Sequence, residues 1–308
     1  MSRLLRLLQP RSIAVFGGDW AASVVEQLVK IGFTGDIWPV HPGKTEICGL
    51  ECRAGAGELP AAPDAGFIAV NRDRTVGLLR ELSEMGAGGA VCFASGFAES
   101  MHEDRRGVGL QADLADAAGR MPFLGPNCYG FINYLDGVLL WPDQHGGVPC
   151  DSGVGIVTQS SNIAINLTMQ RRSLPIATLV TVGNQAAVSQ SEVACCLIED
   201  PRITAIGLHV EGFGRLDGFV ELARRSRQLG KPIIAIKAGR SSKSRSATVS
   251  HTGSIVGSNL GATTLLRRLG IGEVESLPEF LEALKLLHCG GPLTGRRIGS
   301  LSCWGLYV

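Results

Sequence analysis

Residues 12–40, SIAVFGGDWAASVVEQLVKIGFTGDIWPV, contain the pattern on which the fold prediction depends. A short β-branched run, Ser12–Phe16, ends in two glycines, and an apolar helical stretch follows over Ala21–Ile31. A second apolar run covers Gly35–Val40. A strand, a glycine turn, a helix and another strand together make the repeating unit of a parallel sheet that helices cover.

The same alternation continues along most of the 308 residues. Further strands are predicted at 65–70, 89–93, 122–124, 155–158, 176–182, 205–210, 232–237 and 273–274, with helices at 74–85, 191–199, 216–229 and 260–269. Residues 146–153, GGVPCDSG, lack periodicity and are rich in Gly and Pro, which is typical of a linker. We therefore predict an α/β protein of two consecutive doubly wound parallel-sheet domains, over residues 1–146 and 153–288.

The last residues, 289–308, are expected to form the start of a third α/β unit. Residues 295–303, GRRIGSLSC, have a basic turn followed by an apolar run, and no helical stretch comes after them. A lone strand cannot bury itself. The sequence predicts either that this strand pairs with another chain or that the chain is a truncated relative of a longer protein.

Composition excludes several function classes. The formal charge of +1 gives no concentrated positive field for nucleic acid or an anionic membrane. None of the nine cysteines forms a CxxC pair and no histidine cluster accompanies them, so no metal site is predicted. An odd cysteine count without a secretion signal predicts a cytoplasmic protein. The longest uncharged stretches, residues 152–170 and 173–191, are rich in Ser, Thr, Asn and Gln, so no membrane span is predicted.

Three strand ends carry candidate anion-binding residues. Gly17 and Gly18 lie between a strand and a helix, where a phosphate can approach the backbone, although a tight turn is an equally good explanation. Lys44 follows the next strand, as a phosphate ligand or as an ordinary surface lysine. Asn127, in GPNCYG, fits a rigid turn better than a ligand contact.

The second half contains two further candidates. Ser160 and Ser161 stand where a strand enters a helix, which makes either an anion cradle or an N-cap without a ligand. His251 lies in a long loop of small and basic residues after a buried strand, where a solvated histidine without a special role is the ordinary outcome. A neutral imidazole can attack phosphorus if a carboxylate orients it, and Glu211, just past another strand, is the best-placed carboxylate.

In this order, the segments resemble the NDP-forming acyl-CoA synthetases and the α subunit of succinyl-CoA synthetase. The resemblance covers about residues 10 to 300 and rests on seven collinear motifs: IGFTGDIWPVHPG (31–43), ASGFAE (94–99), GPNCYG (125–130), GIVTQSS (155–161), VGN (182–184), LHVEGF (208–213) and KPIIAIKAGR…SHTGS (231–254). It implies a Rossmann-like CoA-binding domain followed by a flavodoxin-like ligase domain.

The resemblance also implies roles for individual residues. His251 would be transiently phosphorylated, Glu211 would orient its ring, and Ser160 and Ser161 would receive the phosphoryl group. CoA phosphates would be held by Gly17, Gly18, Asp19 and Lys44, its adenine end would be lined by Val70, Asn71 and Arg72, and its thiol end would face Asn127. The family joins a carboxylic acid to CoA while ATP is broken down to ADP and phosphate, through an acyl phosphate and a phosphohistidine.

Departures from the family pattern leave alternatives open. The glycine loop lacks its later glycine, Asn71 replaces a common proline, and Gln185 and Ala187 stand where many members have acidic residues.

No ATP-grasp region is found, so ATP or ADP with Mg²⁺ would have to come through a separate ATP-grasp β-type subunit. The first hypothesis is therefore an acid–thiol ligase component that is inactive alone. The second is a truncated, inactive protein that only binds CoA or acyl-CoA. A nicotinamide oxidoreductase ranks last, because residues 41–44, HPGK, replace the acidic residue that the ribose needs.

Overall fold

A computed structural model describes residues 2–239, 259–292 and 295 of the chain. In chain order the elements are α1 (Leu5–Leu8), β1 (Ser12–Gly17), α2 (Asp19–Ile31), β2 (Asp36–Val40), β3 (Glu46–Ile47), β4 (Leu50–Glu51), β5 (Ala65–Ala69), α3 (Arg72–Glu84), β6 (Ala90–Cys92), α4 (Arg106–Ala118), β7 (Phe123–Leu124), β8 (Phe131–Asn133), β9 (Val138–Leu140), β10 (Gly153–Thr158), α5 (Ser161–Thr168), β11 (Ile176–Thr181), α6 (Gln190–Ile198), β12 (Ile203–Val210), α7 (Leu216–Leu229), β13 (Ile233–Lys237), α8 (Asn259–Leu269), β14 (Gly272–Val274) and α9 (Leu277–Gly290).

Two sheets organise these elements, which confirms the predicted fold class. The first is parallel throughout, with the order β2-β1-β5-β6-β7. The second has the order β14-β13-β12-β10-β11-β8-β9, and its first five strands are parallel. Both parallel sets are doubly wound, with their switch points between β1 and β5 and between β10 and β12. Ligands bind at such points, outside the carboxyl ends of the strands.

The β8–β9 hairpin belongs to the second sheet although it precedes the Gly-rich segment 146–153. β8 pairs antiparallel with β11, with Ile132 opposite Leu179 and Phe131 opposite Val180. β9 pairs with β8 and packs against α2 of the first half. The chain therefore passes from the first sheet to the second soon after Leu124, before the segment predicted as a linker.

Side chains of β1 alternate between two buried clusters. Ile13 and Val15 pack into a large cluster that continues through the hairpin into the second sheet. Ala14 and Phe16 face a smaller cluster on the other side of the first sheet. A shared core of this kind fixes the two sheets relative to each other. Among the described residues, no helix combines the length and apolar character that crossing a bilayer requires.

The predicted C-terminal unit lies almost entirely outside the described residues. Of the range 295–303, only Gly295 is described. The pairing of the predicted strand within residues 295–303 with another chain therefore stays a prediction.

Candidate functional site

A cavity of about 690 Å³ lies between the two sheets and is lined by the loops that follow their strands. Its walls come from the carboxyl ends of six strands in both halves: Trp20; Ala69 to Asp73; Phe93 to Ser95; Asn127 to Tyr129; Gln159 to Asn162; and Gly183 with Asn184. The volume is within the range of about 300–1,000 Å³ that is usual for small-ligand sites. We refer to it as the central cavity.

The start of α5 forms one wall of the central cavity. Ser160 is the N-cap of α5, and its hydroxyl accepts a hydrogen bond from the Ile163 N–H at 3.4 Å. The Ser161 hydroxyl accepts the Tyr129 N–H at 3.1 Å, which joins this helix to the loop of the first half. First-turn N–H groups have no acceptor within a helix, and the helix dipole favours an anion there. The two serines are thus a cap and a possible anion cradle at once.

Asn71 and Arg72 also line the central cavity. The Asn71 side chain caps α3 by accepting the Arg74 N–H at 2.9 Å, a function that proline could not perform. The Arg72 guanidinium donates to the Gly96 carbonyl at 2.6 Å and pairs with Asp104. Hydrogen bonds from Arg106 and Arg72 hold the pKa of Asp104 well below its usual range. Arg72 is therefore anchored in one position as it lines the cavity.

A second cavity, of about 260 Å³, adjoins the first and shares Ala69, Val70 and Asn71 with it. Gly17 and Gly18 line this side cavity together with His41 and Arg74. A Cβ on Gly17, whose φ is +137°, would lie 2.4 Å from the Ala69 carbonyl oxygen, so only glycine permits this approach of two strands. Space around Gly18 is open, and no side chain caps α2 at this position. The start of α2 can therefore accept an anion.

Asp19 and Lys44 line neither of these two cavities. They pair with each other, with Lys44 Nζ 3.6 Å from an Asp19 carboxylate oxygen. The pair is close to the α2 start because Asp19 is the first residue of that helix. An exposed ion pair of this kind contributes little to stability.

Glu211 is buried at the second switch point, one layer behind the central cavity. Its N–H donates to Gln159 Oε1 at 2.5 Å, and Gln159 lines the cavity. Its carbonyl accepts from Lys237 Nζ at 2.8 Å, so the ends of β10, β12 and β13 are tied together. His251 lies outside the described residues, and its position relative to Glu211 stays a prediction.

Polar contacts across the two halves fix the cavity shape. Asn184 Nδ2 donates to a Glu99 carboxylate oxygen and, at 2.9 Å, to Gln111 Oε1. The same carboxylate accepts the N–H groups of Gly96 and Phe97 at 2.6 and 3.2 Å. Asn184 belongs to the second half and the other four residues to the first. The contact therefore joins the loop after β6 to the loop after β11.

Sequence reasoning from single motifs did not identify every residue of the central cavity. Trp20, Phe93, Gln159 and Asn184 line it, and none was chosen as a site residue. Cys128 also lines it, and burial raises the pKa of its thiol to about 12, so it stays protonated. Gln159 and Asn184 lie in the motifs GIVTQSS and VGN, whose position after a strand was the available signal.

These features define a class: a two-domain α/β protein with a ligand site across the carboxyl edges of both sheets, built around helix starts that suit phosphate groups. Two family models match the chain, a CoA binding domain over residues 11–134 and a succinyl-CoA ligase like flavodoxin domain over residues 151–287. The chain belongs to the family that joins these two domains, the ADP-forming acyl-CoA synthetases with the succinyl-CoA synthetase α subunits.

Individual relatives agree with this assignment. The trans-feruloyl-CoA synthase FCS1 of an unknown prokaryotic organism is 32% identical over 92% of this chain and 42% of its own length. The α subunit of ADP-forming acetate–CoA ligase II from Pyrococcus furiosus is 26% identical over 88% of this chain and 60% of its own. A Ca. Korarchaeum cryptofilum dinucleotide forming acetyl-coenzyme A synthetase 1, solved with phosphate and ADP, superposes with a TM-score of 0.79, at 28% identity, over 92% of this chain and 62% of that one. The chain thus spans about half the length of these relatives.

Proposed function

We propose that this chain is the CoA-binding, phosphohistidine-carrying part of an ADP-forming acyl-CoA synthetase. The proposed reaction converts a carboxylic acid, CoA and ATP into acyl-CoA, ADP and phosphate. The observation that carries the proposal is the central cavity, which is lined by Val70, Asn71 and Arg72 of one half and by Ser160 and Ser161 of the other. A reaction between a CoA thiol and an activated acid needs both partners held in one place.

The residues around Gly17 fit the phosphate end of CoA. Gly18 leaves open space at an uncapped helix start, and Arg74 and His41 supply polar groups in the side cavity. Lys44, which pairs with Asp19 at the surface, adds a positive charge near the start of α2. Because the side cavity shares Val70 and Asn71 with the central cavity, one extended ligand could occupy both, with its far end near Asn127. Bound there, CoA would supply the thiol that takes the acyl group.

The start of α5 would stabilise the transferred phosphoryl group. Ser160 and Ser161 fix the helix start, so its N–H groups need no rearrangement as negative charge arrives. We assign His251 as the residue that accepts the phosphoryl group and Glu211 as the carboxylate that orients its ring. Glu211 is suited to this because backbone contacts to Gln159 and Lys237 immobilise it.

A separate ATP-grasp subunit would bring ATP or ADP with Mg²⁺ to His251. The Pyrococcus furiosus relative is itself an α subunit, which is consistent with a divided enzyme. We take residues 1–146 as the CoA-binding domain, 153–288 as the ligase domain and 289–308 as the start of a third. The described cysteines are free thiols, which suits the reducing cytosol in which we place the protein.

Calorimetric titration of the 308-residue chain with CoA tests the binding step. We expect Lys44→Ala to weaken binding severalfold and Lys30→Ala, at the far end of α2, to leave it unchanged. Label transfer from radioactive acetyl phosphate tests the second step, with His251→Ala as the control. CoA binding without His251-dependent labelling, across several acyl phosphates, would favour a protein that only binds CoA. No CoA binding by a folded sample would refute the proposal.

A further inference from the structure

Four aromatic side chains form a continuous row along the central cavity. The ring centroids are 5.2 Å apart for Trp20 and Phe93, 5.5 Å for Phe93 and Tyr129, and 5.3 Å for Tyr129 and Trp141. Trp20, Phe93 and Tyr129 line the cavity, whereas Trp141 is completely buried behind them. We call the three lining residues the aromatic wall.

The aromatic wall is rigid except at its outer end. Phe93 also packs on the buried Phe67 at 5.8 Å, and Tyr129 is held by Trp141 and by its backbone bond to Ser161. Trp20, by contrast, is 49% exposed. A large indole side chain that is half exposed in a cavity leaves apolar area for a ligand to cover. Rigid rings lose little conformational entropy when they do so.

The wall also lies next to the proposed reaction centre. The Tyr129 N–H bonds to the Ser161 hydroxyl at 3.1 Å, so the inner end of the wall touches the start of α5. A ligand whose carboxyl group is at α5 would therefore extend its acyl chain along Tyr129 and Phe93 toward Trp20. Rings in such a row favour tilted or offset contact with another ring, as they already show among themselves.

We propose that the central cavity selects an aromatic carboxylic acid, whose ring packs against Trp20 and Phe93 while its carboxyl group lies at the start of α5. This proposal rests on the proposed function, because it takes the cavity to be the acyl site of a CoA-dependent enzyme. Acetate, with two carbons, would leave the aromatic wall without a partner.

Binding of CoA thioesters to the chain tests the proposal without any partner subunit. The probes are free CoA, acetyl-CoA, hexanoyl-CoA and trans-cinnamoyl-CoA, which compare no acyl group, a small one, an aliphatic one and an aromatic one. We expect cinnamoyl-CoA to bind at least about tenfold more tightly than acetyl-CoA, since each ring contact contributes a factor of roughly 2 to 10. Hexanoyl-CoA should fall between them.

Substitutions at Trp20 give the matched comparison, because this side chain is 49% exposed and lies outside the buried core. Trp20→Leu should reduce the preference for cinnamoyl-CoA over acetyl-CoA by roughly 3- to 10-fold. Both probes contain CoA, so this ratio isolates the contact with the acyl group. Trp20→Phe, which keeps a ring, should retain most of the preference. Phe93→Leu should act in the same direction as Trp20→Leu.

Three results would overturn the inference. Equal affinity for acetyl-CoA and cinnamoyl-CoA would show that the aromatic wall makes no contact with the acyl group. Equal affinity for hexanoyl-CoA and cinnamoyl-CoA, both above that for acetyl-CoA, would show that the site selects apolar rather than aromatic acyl groups. A loss of free CoA affinity in Trp20→Leu would place Trp20 against CoA itself. In all three cases the parent chain still binds CoA, so the proposed function survives. Failure of every thioester and of CoA to bind would refute both.

Discussion

Replacement of Asn184 by alanine tests whether the polar contact between the two halves holds the central cavity in shape. The substitution removes one hydrogen bond to the Glu99 carboxylate and one to Gln111 at 2.9 Å. A bond to a charged group contributes about 1.5–3 kcal/mol and a neutral one about 0.5–1.5 kcal/mol. Glu99 keeps its two backbone donors, and one buried Asn184 oxygen that lacks a partner in the described structure is also removed. Both effects reduce the loss of stability, and we expect the free energy of unfolding to fall by about 2 kcal/mol.

Urea unfolding at neutral pH, followed by circular dichroism and tryptophan fluorescence, measures this loss. Asn166→Ala is the matched control, because the Asn166 side chain is exposed and bonds only locally, to the Asn162 carbonyl at 2.8 Å. Alanine also has the better helix propensity there, so the control should stay within about 0.5 kcal/mol of the parent protein.

A double-mutant cycle assigns the energy to the contact itself. Asn184→Ala and Glu99→Ala together should cost less than the sum of the two single changes, by about 1–2 kcal/mol. A coupling below about 0.5 kcal/mol, or an Asn184→Ala variant as stable as the control, would refute the reasoning. The packing of α2 against the β8–β9 hairpin would then be what holds the two halves together.

Two further predictions concern the side cavity and the second sheet. Gly17→Ala should abolish CoA binding and destabilise the fold, because the added Cβ would lie 2.4 Å from the Ala69 carbonyl oxygen. Gly18→Ala should fold normally, because its added Cβ would meet no atom within 4 Å. Equal melting temperatures for the two variants would contradict this prediction. Burial, with a smaller effect from Lys237, lowers the pKa of His209 to about 4. Because the unfolded state binds the proton more readily, stability should fall by about 3 kcal/mol as pH drops from about 6.5 to 4, and His209→Asn should remove that part of the slope. An unchanged slope in the variant would contradict the assignment.

The strands were predictable because their signal is local. β1, β5 and β12 have apolar, β-branched runs that end in glycine or polar residues, and their observed bounds differ from the predicted ones by two residues at most. The order of the sheets followed from the alternation of strand and helix, which permits few topologies. Ser160 at a helix start was predictable for the same reason.

Features that depend on distant pairing were not predictable in this way. β8 and β9 have three residues each, too few for a periodic signal, and β11, which pairs with β8, comes more than forty residues later. The aromatic wall combines residues 20, 93 and 129, which are far apart in the sequence and meet only through the tertiary fold. At Asn127 the sequence favoured a rigid turn over a ligand contact. The positive φ of 58° fits that turn, and the residue also lines the central cavity.

The position of the β8–β9 hairpin determines where the chain could be divided into two parts that each keep their strand pairing. The Gly-rich segment 146–153 looks like the natural breakpoint, but a piece that begins there would lack the strand that covers the Thr178–Val180 edge of β11. An uncovered strand edge invites pairing with other chains. A division of the chain that keeps β8 with β11 must therefore fall between Leu124 and Phe131, inside GPNCYG, so the turn that lines the ligand site is also where the chain passes from one sheet to the other.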